Sequence, residues 1–115
     1  MKDDAVYLRH IAECIRRIEE NAAGGRDLFL TSHALQDATL RNLQTLSEAT
    51  QRLSEATKST HPEIEWVRIA AFRNVLAHNY LGIDLNLIWE IVQRDLPQLN
   101  TAIEEMLQNV KKSDD

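Results

Sequence analysis

The sequence predicts an all-α fold, an up-and-down bundle of four to five helices, from three observations. Apolar residues recur at steps of three and four through long segments, the period of an amphipathic helix. Only three glycines and two prolines interrupt 115 residues. Runs of β-branched and aromatic residues that would build strands are scarce. A chain of this length suits one domain around one core, taken as residues 1–115 with a polar tail from about 111 to 115 that should fray.

The first helix is expected from about Asp4 to about Ala23, with Asp3 or Asp4 as its N-cap. Leu8, Ile11, Ile15 and Ile18 make one apolar stripe, and Gly24-Gly25 ends the helix. A turn of helix over Asp27 to Leu30 follows. Thr31 or Ser32 then caps a second helix expected to reach about Lys58, with Leu35, Leu43, Leu46, Thr50, Leu53 and Thr57 as its stripe. Asp37 with Arg41, and Glu48 with Arg52, stand four apart and can pair along its surface. His61-Pro62 ends that segment and opens a third helix, from about Glu63 to about Asn79, marked by Trp66, Ile69, Phe72 and Leu76. Gly82 should break it. Asp84 caps a fourth helix carrying Leu85, Ile88, Val92, Leu96, Leu99, Ile103 and Leu107, and Pro97 inside that run predicts a kink or break near Asp95.

Composition narrows the function. With 43% hydrophobic and 27% charged residues the chain is an ordinary globular one. The opening MKDDAVYLRHIAEC holds no apolar core of a signal peptide, and no 18 apolar residues run together, so a cytoplasmic protein without a membrane span is expected. Cys14 is the sole cysteine; it excludes an internal disulfide and reads as a small apolar residue of the first helix. The net charge of −5 argues against a generally basic nucleic-acid coat. Any nucleic-acid binding must come from a local cationic site or from a composite surface.

One segment carries chemistry. RNVLAHNY places Arg73, Asn74, His78 and Tyr80 where an apolar helix meets its C-terminal turn. Arginine offers a planar, permanently charged fork that matches a phosphate. Histidine is the side chain suited to proton transfer near neutral pH. Together they suffice for metal-free RNA cleavage: the imidazole deprotonates a ribose 2′-hydroxyl or protonates the leaving 5′-oxygen, and the guanidinium stabilises charge on the phosphorane-like transition state. Helical phase complicates this, because residues 73 and 78 lie about 140° apart on an ideal helix, whereas 80 returns to within about 20° of 73. Either the helix unwinds at its end, or the arginine side chain wraps round, or a second subunit completes the site, and the first and third together are the expected route. A bland assignment is also open, with His78 capping carbonyls, Arg73 in a surface pair and Tyr80 packed. Asn74, one turn from His78, is the supporting candidate. Asp37 and Glu48 are close enough in principle to orient Arg73 or His78, and read first as solvated helix charges.

The stretch HPEIEWVRIAAFRNVLAHNYLGIDLNLIWEIVQRDLPQL, with the preceding QDATLRNLQTLSEATQRLSE, resembles the HepT branch of the HEPN superfamily over most of the chain, and R-x4-H-x-Y is that family's signature. The resemblance implies a HEPN-like homodimer whose two motifs line one cleft. It implies a metal-independent endoribonuclease toxin of a type VII-like toxin–antitoxin pair, with Arg73 and His78 as its ribonuclease residues and RNA as substrate. It also implies a partner, an MNT-type nucleotidyltransferase antitoxin that silences the toxin by adding AMP to Tyr80. No metal and no cofactor are expected. Ser47 and Thr50 depart from the glycine and alanine expected in the family's second helix. The alternative is a catalytically silent HEPN interaction module that partners a nucleotidyltransferase; the intact Arg73, His78 and Tyr80 favour the enzyme. A plain helical dimer with no nucleotide link is the third reading. Trp66 and Trp89 read as core or interface, His10 and His33 as surface residues, and His61 as a loop residue.

Overall fold

In the computed structural model, described for residues 2–78 and 84–114 with side chains for 4–74 and 84–110, every regular element is helical. Helix α1 spans Lys2–Ala22, α2 Arg26–Thr31, α3 His33–Gln51, α4 Glu55–Ser59, α5 Trp66–His78, α6 Leu85–Glu90 and α7 Leu96–Asp114. A π-helical turn, Ile91–Asp95, joins α6 to α7. Helix α1 packs along α3 and α7, and α5 packs along the far side of α3. The expected break at Gly82 lies outside the described residues, as does Asn79.

The stripe on α1 falls inward as its spacing requires: Leu8, Ile11, Ile15 and Ile18 are each at most 1% exposed. Cys14 joins them, and burial pushes its thiol pKa up. On the outer face Arg16 bridges Glu13 and Glu20, while Arg17 reaches Glu13 at 3.1 Å. Gly25 ends the turn with φ 96°, a left-handed backbone that side chains other than glycine rarely adopt. Ser32 caps α3, its Oγ accepting from the Leu35 N–H at 3.2 Å. The buried Gln36 donates to the Phe29 carbonyl at 3.0 Å and so fixes α2 on α3.

Asp4 is not a cap. It lies inside α1, 2% exposed, and works on another part of the chain. Its carboxylate accepts from the Ser54 N–H at 2.9 Å, the Ser54 hydroxyl at 2.7 Å and the Thr57 hydroxyl at 2.6 Å. That contact also explains why α3 ends at Gln51 rather than near Lys58. With its N–H turned to Asp4, Ser54 is extended (φ −65°, ψ 152°), and its own Oγ caps α4 at the Thr57 N–H. Leu53 buries its side chain at the break. Ser47 and Thr50, the two polar departures, sit buried in α3 with hydroxyls donating to the Gln44 and Ser47 carbonyls at 2.8 and 2.7 Å. A buried hydroxyl satisfied within its own helix needs no polar neighbour.

Helix α5 starts at Trp66, three residues later than the proline suggests. The segment after Pro62 instead turns Ile64 into the core, and the Trp66 indole N–H donates to the Lys58 and His61 carbonyls at 3.1 and 3.2 Å. His61 is a loop residue, yet a buried one: its Nε2 lies 2.8 Å from Glu105 on α7 and its Nδ1 2.9 Å from the Thr60 hydroxyl. Asp84 caps α6 through the Asn86 and Leu87 N–H groups. The expected break near Asp95 takes the form of the π turn, where the Leu96 N–H bonds to the Ile91 carbonyl. Pro97 has no N–H to give, and the wider turn before it absorbs the lost bond and the ring. Beyond it α7 runs on to Asp114. Trp89 tilts on Phe29, with centroids 5.5 Å apart, as a core-packing tryptophan should.

Candidate active site

Helix α5 is held to the rest of the fold from two sides. Ile69 and Phe72 are buried toward α3, and Arg68 makes a two-bond pair with Asp95 of the π turn, both contacts at 3.1 Å. The Asp95 carboxylate holds the Arg68 guanidinium pKa above its usual value. Such an arrangement fixes which face of α5 is left to solvent. Arg73 and Asn74 lie about 100° and 160° round the helix from the buried Phe72, and both are exposed.

The Arg73 side chain is 53% exposed, and its Nε stands 4.0 Å from Oε1 of Glu48 on α3. At that separation, with both groups half in water, the pair adds little stability. It does set a direction, since the carboxylate draws the guanidinium along the α3 side of the helix. Glu48, read from sequence first as a solvated charge, is therefore the residue that meets Arg73. Among the described residues neither Asp37 with Arg41 nor Glu48 with Arg52 makes an ion pair.

The backbone is helical from Arg73 through His78. The unwinding expected between these two residues, one half of the favoured route, therefore does not occur. The remaining routes are the reach of the arginine side chain and a second subunit. The His78 side chain and the whole of Tyr80 lie outside the described residues.

Other candidates are placed as structural parts. His10 and His33 are exposed, and Trp66 and Trp89 pack against the core. Among the described residues no group of three or more His, Cys, Asp or Glu side chains is disposed to hold a metal ion. No described helix is long and apolar enough to cross a membrane.

An all-helical bundle that presents an arginine and an asparagine on the open face of one helix, five and four residues before a histidine, defines the class to which this chain belongs, that of small all-helical domains. The class has a family. Residues 11–106 match the family described as "Ribonuclease HepT-like", and the chain belongs to it. It is 36% identical over 113 residues to a "Gamma-glutamylcyclotransferase and putative RNase" of Methanocaldococcus jannaschii, covering 97% of this chain and 51% of that protein. It is 32% identical over 112 residues to a "Putative RNase" of Caldanaerobacter subterraneus subsp. tengcongensis, covering 96% of this chain and 100% of the other. A "Probable ribonuclease HepT" of Thermococcus cleftensis is 36% identical over 104 residues, covering 87% of this chain and 92% of that protein. The chain thus spans about half the length of the first relative and all or nearly all of the other two. No solved structure matches.

Proposed function

We propose that this protein is a metal-independent endoribonuclease, with Arg73 and His78 as its catalytic residues and Asn74 supporting them. The observation that carries the reading is family membership over residues 11–106 combined with an Arg73 that α5 leaves open to solvent. In the proposed reaction the 2′-oxygen of a ribose attacks the adjacent phosphorus while the bond from phosphorus to the 5′-oxygen breaks. The imidazole of His78 takes the 2′-hydroxyl proton or supplies one to the departing 5′-oxygen. The guanidinium of Arg73 faces the charge that develops on the non-bridging oxygens, a role for which its paired donors suit it better than an ammonium.

Helical phase separates residues 73 and 78 by about 140°, and the helix persists between them, so the composite form of the site is a homodimer with two motifs across one cleft. Two facing motifs concentrate two arginines and two histidines on a protein of net charge −5. The regulatory half of the reading is a toxin–antitoxin pair, in which an MNT-type nucleotidyltransferase adds AMP to Tyr80. A phosphate attached there competes with RNA for Arg73.

The test is cleavage of single-stranded RNA by the purified protein. His78→Ala and Arg73→Ala should each abolish cleavage with helical content retained, and Arg73→Lys should restore little. Cleavage should persist in EDTA. Activity that disappears on chelation, or that survives both alanine variants, overturns the proposed chemistry.

A further inference from the structure

Glu48 belongs to two places at once. On one side it faces Arg73; on the other it lines an open groove of about 310 Å³ between α1 and α3, walled by Tyr7, His10, Thr45, Ala49 and Arg52. Thr45 and Glu48 on α3 and Arg52, the residue that caps its C-terminus in helical geometry, follow at steps of three and four, so they present one face within about 60°. On α1, Tyr7 and His10 are three apart and meet that face from across the groove. Arg52 is exposed and makes no ion pair among the described residues, unlike Arg16, Arg17 and Arg68, which hold carboxylates. Tyr7 is half-buried, its position set by the core beneath it.

We infer that this groove is the subsite for the nucleotide next to the scissile phosphate of a single-stranded RNA, with Arg52 holding the neighbouring phosphate and Tyr7 stacking a base. The inference rests on the ribonuclease reading and extends it. Spacing supports it. Arg52 lies one helical turn beyond Glu48, about 6 Å along the helix axis, so it follows directly on the carboxylate that meets Arg73. A phosphate on Arg73 and the next on Arg52 would straddle Glu48. A carboxylate between two phosphates would repel them, unless the strand turns a donor toward it; a ribose 2′-hydroxyl or a base N–H supplies one. Tyr7 offers a ring of the kind that holds unpaired bases in single-strand sites, and it is already immobilised by its contacts with the core. A half-buried tyrosine, an unpaired arginine and a carboxylate flanking the proposed catalytic arginine thus describe a tract for ribonucleotides rather than a solvated helix face.

The test measures binding and cleavage separately. Binding of a fluorescein-labelled ten-nucleotide RNA is followed by anisotropy in the His78→Ala background, so that the probe is not consumed. Adding Arg52→Gln should weaken binding about tenfold, and the logarithmic salt slope should become shallower by about 0.7, the share of one phosphate contact. Arg9→Gln, which removes the same charge about 160° round α1 from Tyr7, should leave both values unchanged. In the otherwise wild-type protein Arg52→Gln should raise KM for the ten-nucleotide RNA with kcat retained, and leave cleavage of a dinucleotide unaffected. Cleavage by the wild type with no response of binding, slope or KM to Arg52→Gln overturns the subsite and leaves the ribonuclease reading intact. Arg52-dependent binding without any cleavage sustains the groove and overturns the ribonuclease reading. Neither binding nor cleavage overturns both.

Discussion

Replacing Asp4 by alanine removes a single carboxylate that three donors share, and the consequence can be worked out from the contacts. The Ser54 N–H, the Ser54 hydroxyl and the Thr57 hydroxyl lose an acceptor at 2.9, 2.7 and 2.6 Å. A hydrogen bond to a charged group contributes about 1.5–3 kcal/mol, but the three share one acceptor and both hydroxyls can turn to other partners, so about 2–4 kcal/mol is expected in total. At about 2.1 cal/mol/K per residue, 115 residues give roughly 4 °C per kcal/mol, hence a Tm lower by about 8–16 °C. The pH dependence sharpens the test. Burial alone would raise the Asp4 pKa, and the hydrogen bonds from Thr57 and Ser54 outweigh it, leaving the pKa below the usual carboxylate value. A depressed folded-state pKa means that the ionised form stabilises the fold above the unfolded value, near pH 3.9, and that this contribution disappears as pH falls through the lower folded value. Thermal unfolding followed by circular dichroism at pH 7 and at pH 3 should therefore show a large gap between wild type and Asp4→Ala at pH 7 and a smaller one at pH 3. A gap of equal size at both pH values would refute the electrostatic account and leave only lost packing.

Three other perturbations follow from single residues. Thr39 is 1% exposed and its hydroxyl has no hydrogen-bond partner among the described residues, so Thr39→Val should raise stability by about 1 kcal/mol in the same melting assay. Leu43 is fully buried in the α3 stripe, and Leu43→Ala should cost about 2–5 kcal/mol by chemical denaturation, with the m-value unchanged. Tyr80→Phe should keep RNA cleavage and escape silencing by a cognate nucleotidyltransferase; intact-mass measurement after co-expression should find AMP-sized additions on the wild type and none on the variant.

The fold was largely legible because its helices are amphipathic at an undisturbed period. Leu8, Ile11, Ile15 and Ile18 needed only their spacing, and Ser32 and Asp84 announced their caps by residue type. What escaped was decided by contacts between distant parts of the chain. Nothing local in Arg52-Leu53-Ser54 ends a helix; Asp4, fifty residues earlier, takes the Ser54 N–H and ends it. The same carboxylate looked like a cap for the opposite reason, since an aspartate near a helix start is ordinarily one. His61 is the loop residue its sequence suggests, but its burial against Glu105 of α7 depends on a contact 44 residues away. At the site, residue types and phase located Arg73 and its neighbour Asn74, but the choice of Glu48 over Asp37 as the carboxylate near Arg73 depended on how α5 lies against α3. Sequence phase had already warned that one helix face cannot hold residues 73 and 78 together, and the continuous helix between them sharpens that constraint.

An acidic protein can still handle RNA if its cations are not all committed to its own carboxylates. Part of the basic charge here is committed: Arg16 and Arg17 hold Glu13, Arg68 holds Asp95, and Lys58 meets Glu55. Arg52 is left without an ion pair among the described residues, and Arg73 meets only a half-exposed carboxylate at 4.0 Å. Both flank Glu48, on neighbouring faces of α3 and α5. The remaining excess of acid repels a polyanion from most of the surface, which favours approach where Arg52 and Arg73 stand on either side of Glu48. Few phosphate contacts then suffice, because the negative surroundings suppress binding elsewhere rather than competing at the site. On this view the net charge of −5, which excludes a nucleic-acid coat, is compatible with cleavage of a short single-stranded segment by a site only a few nucleotides long.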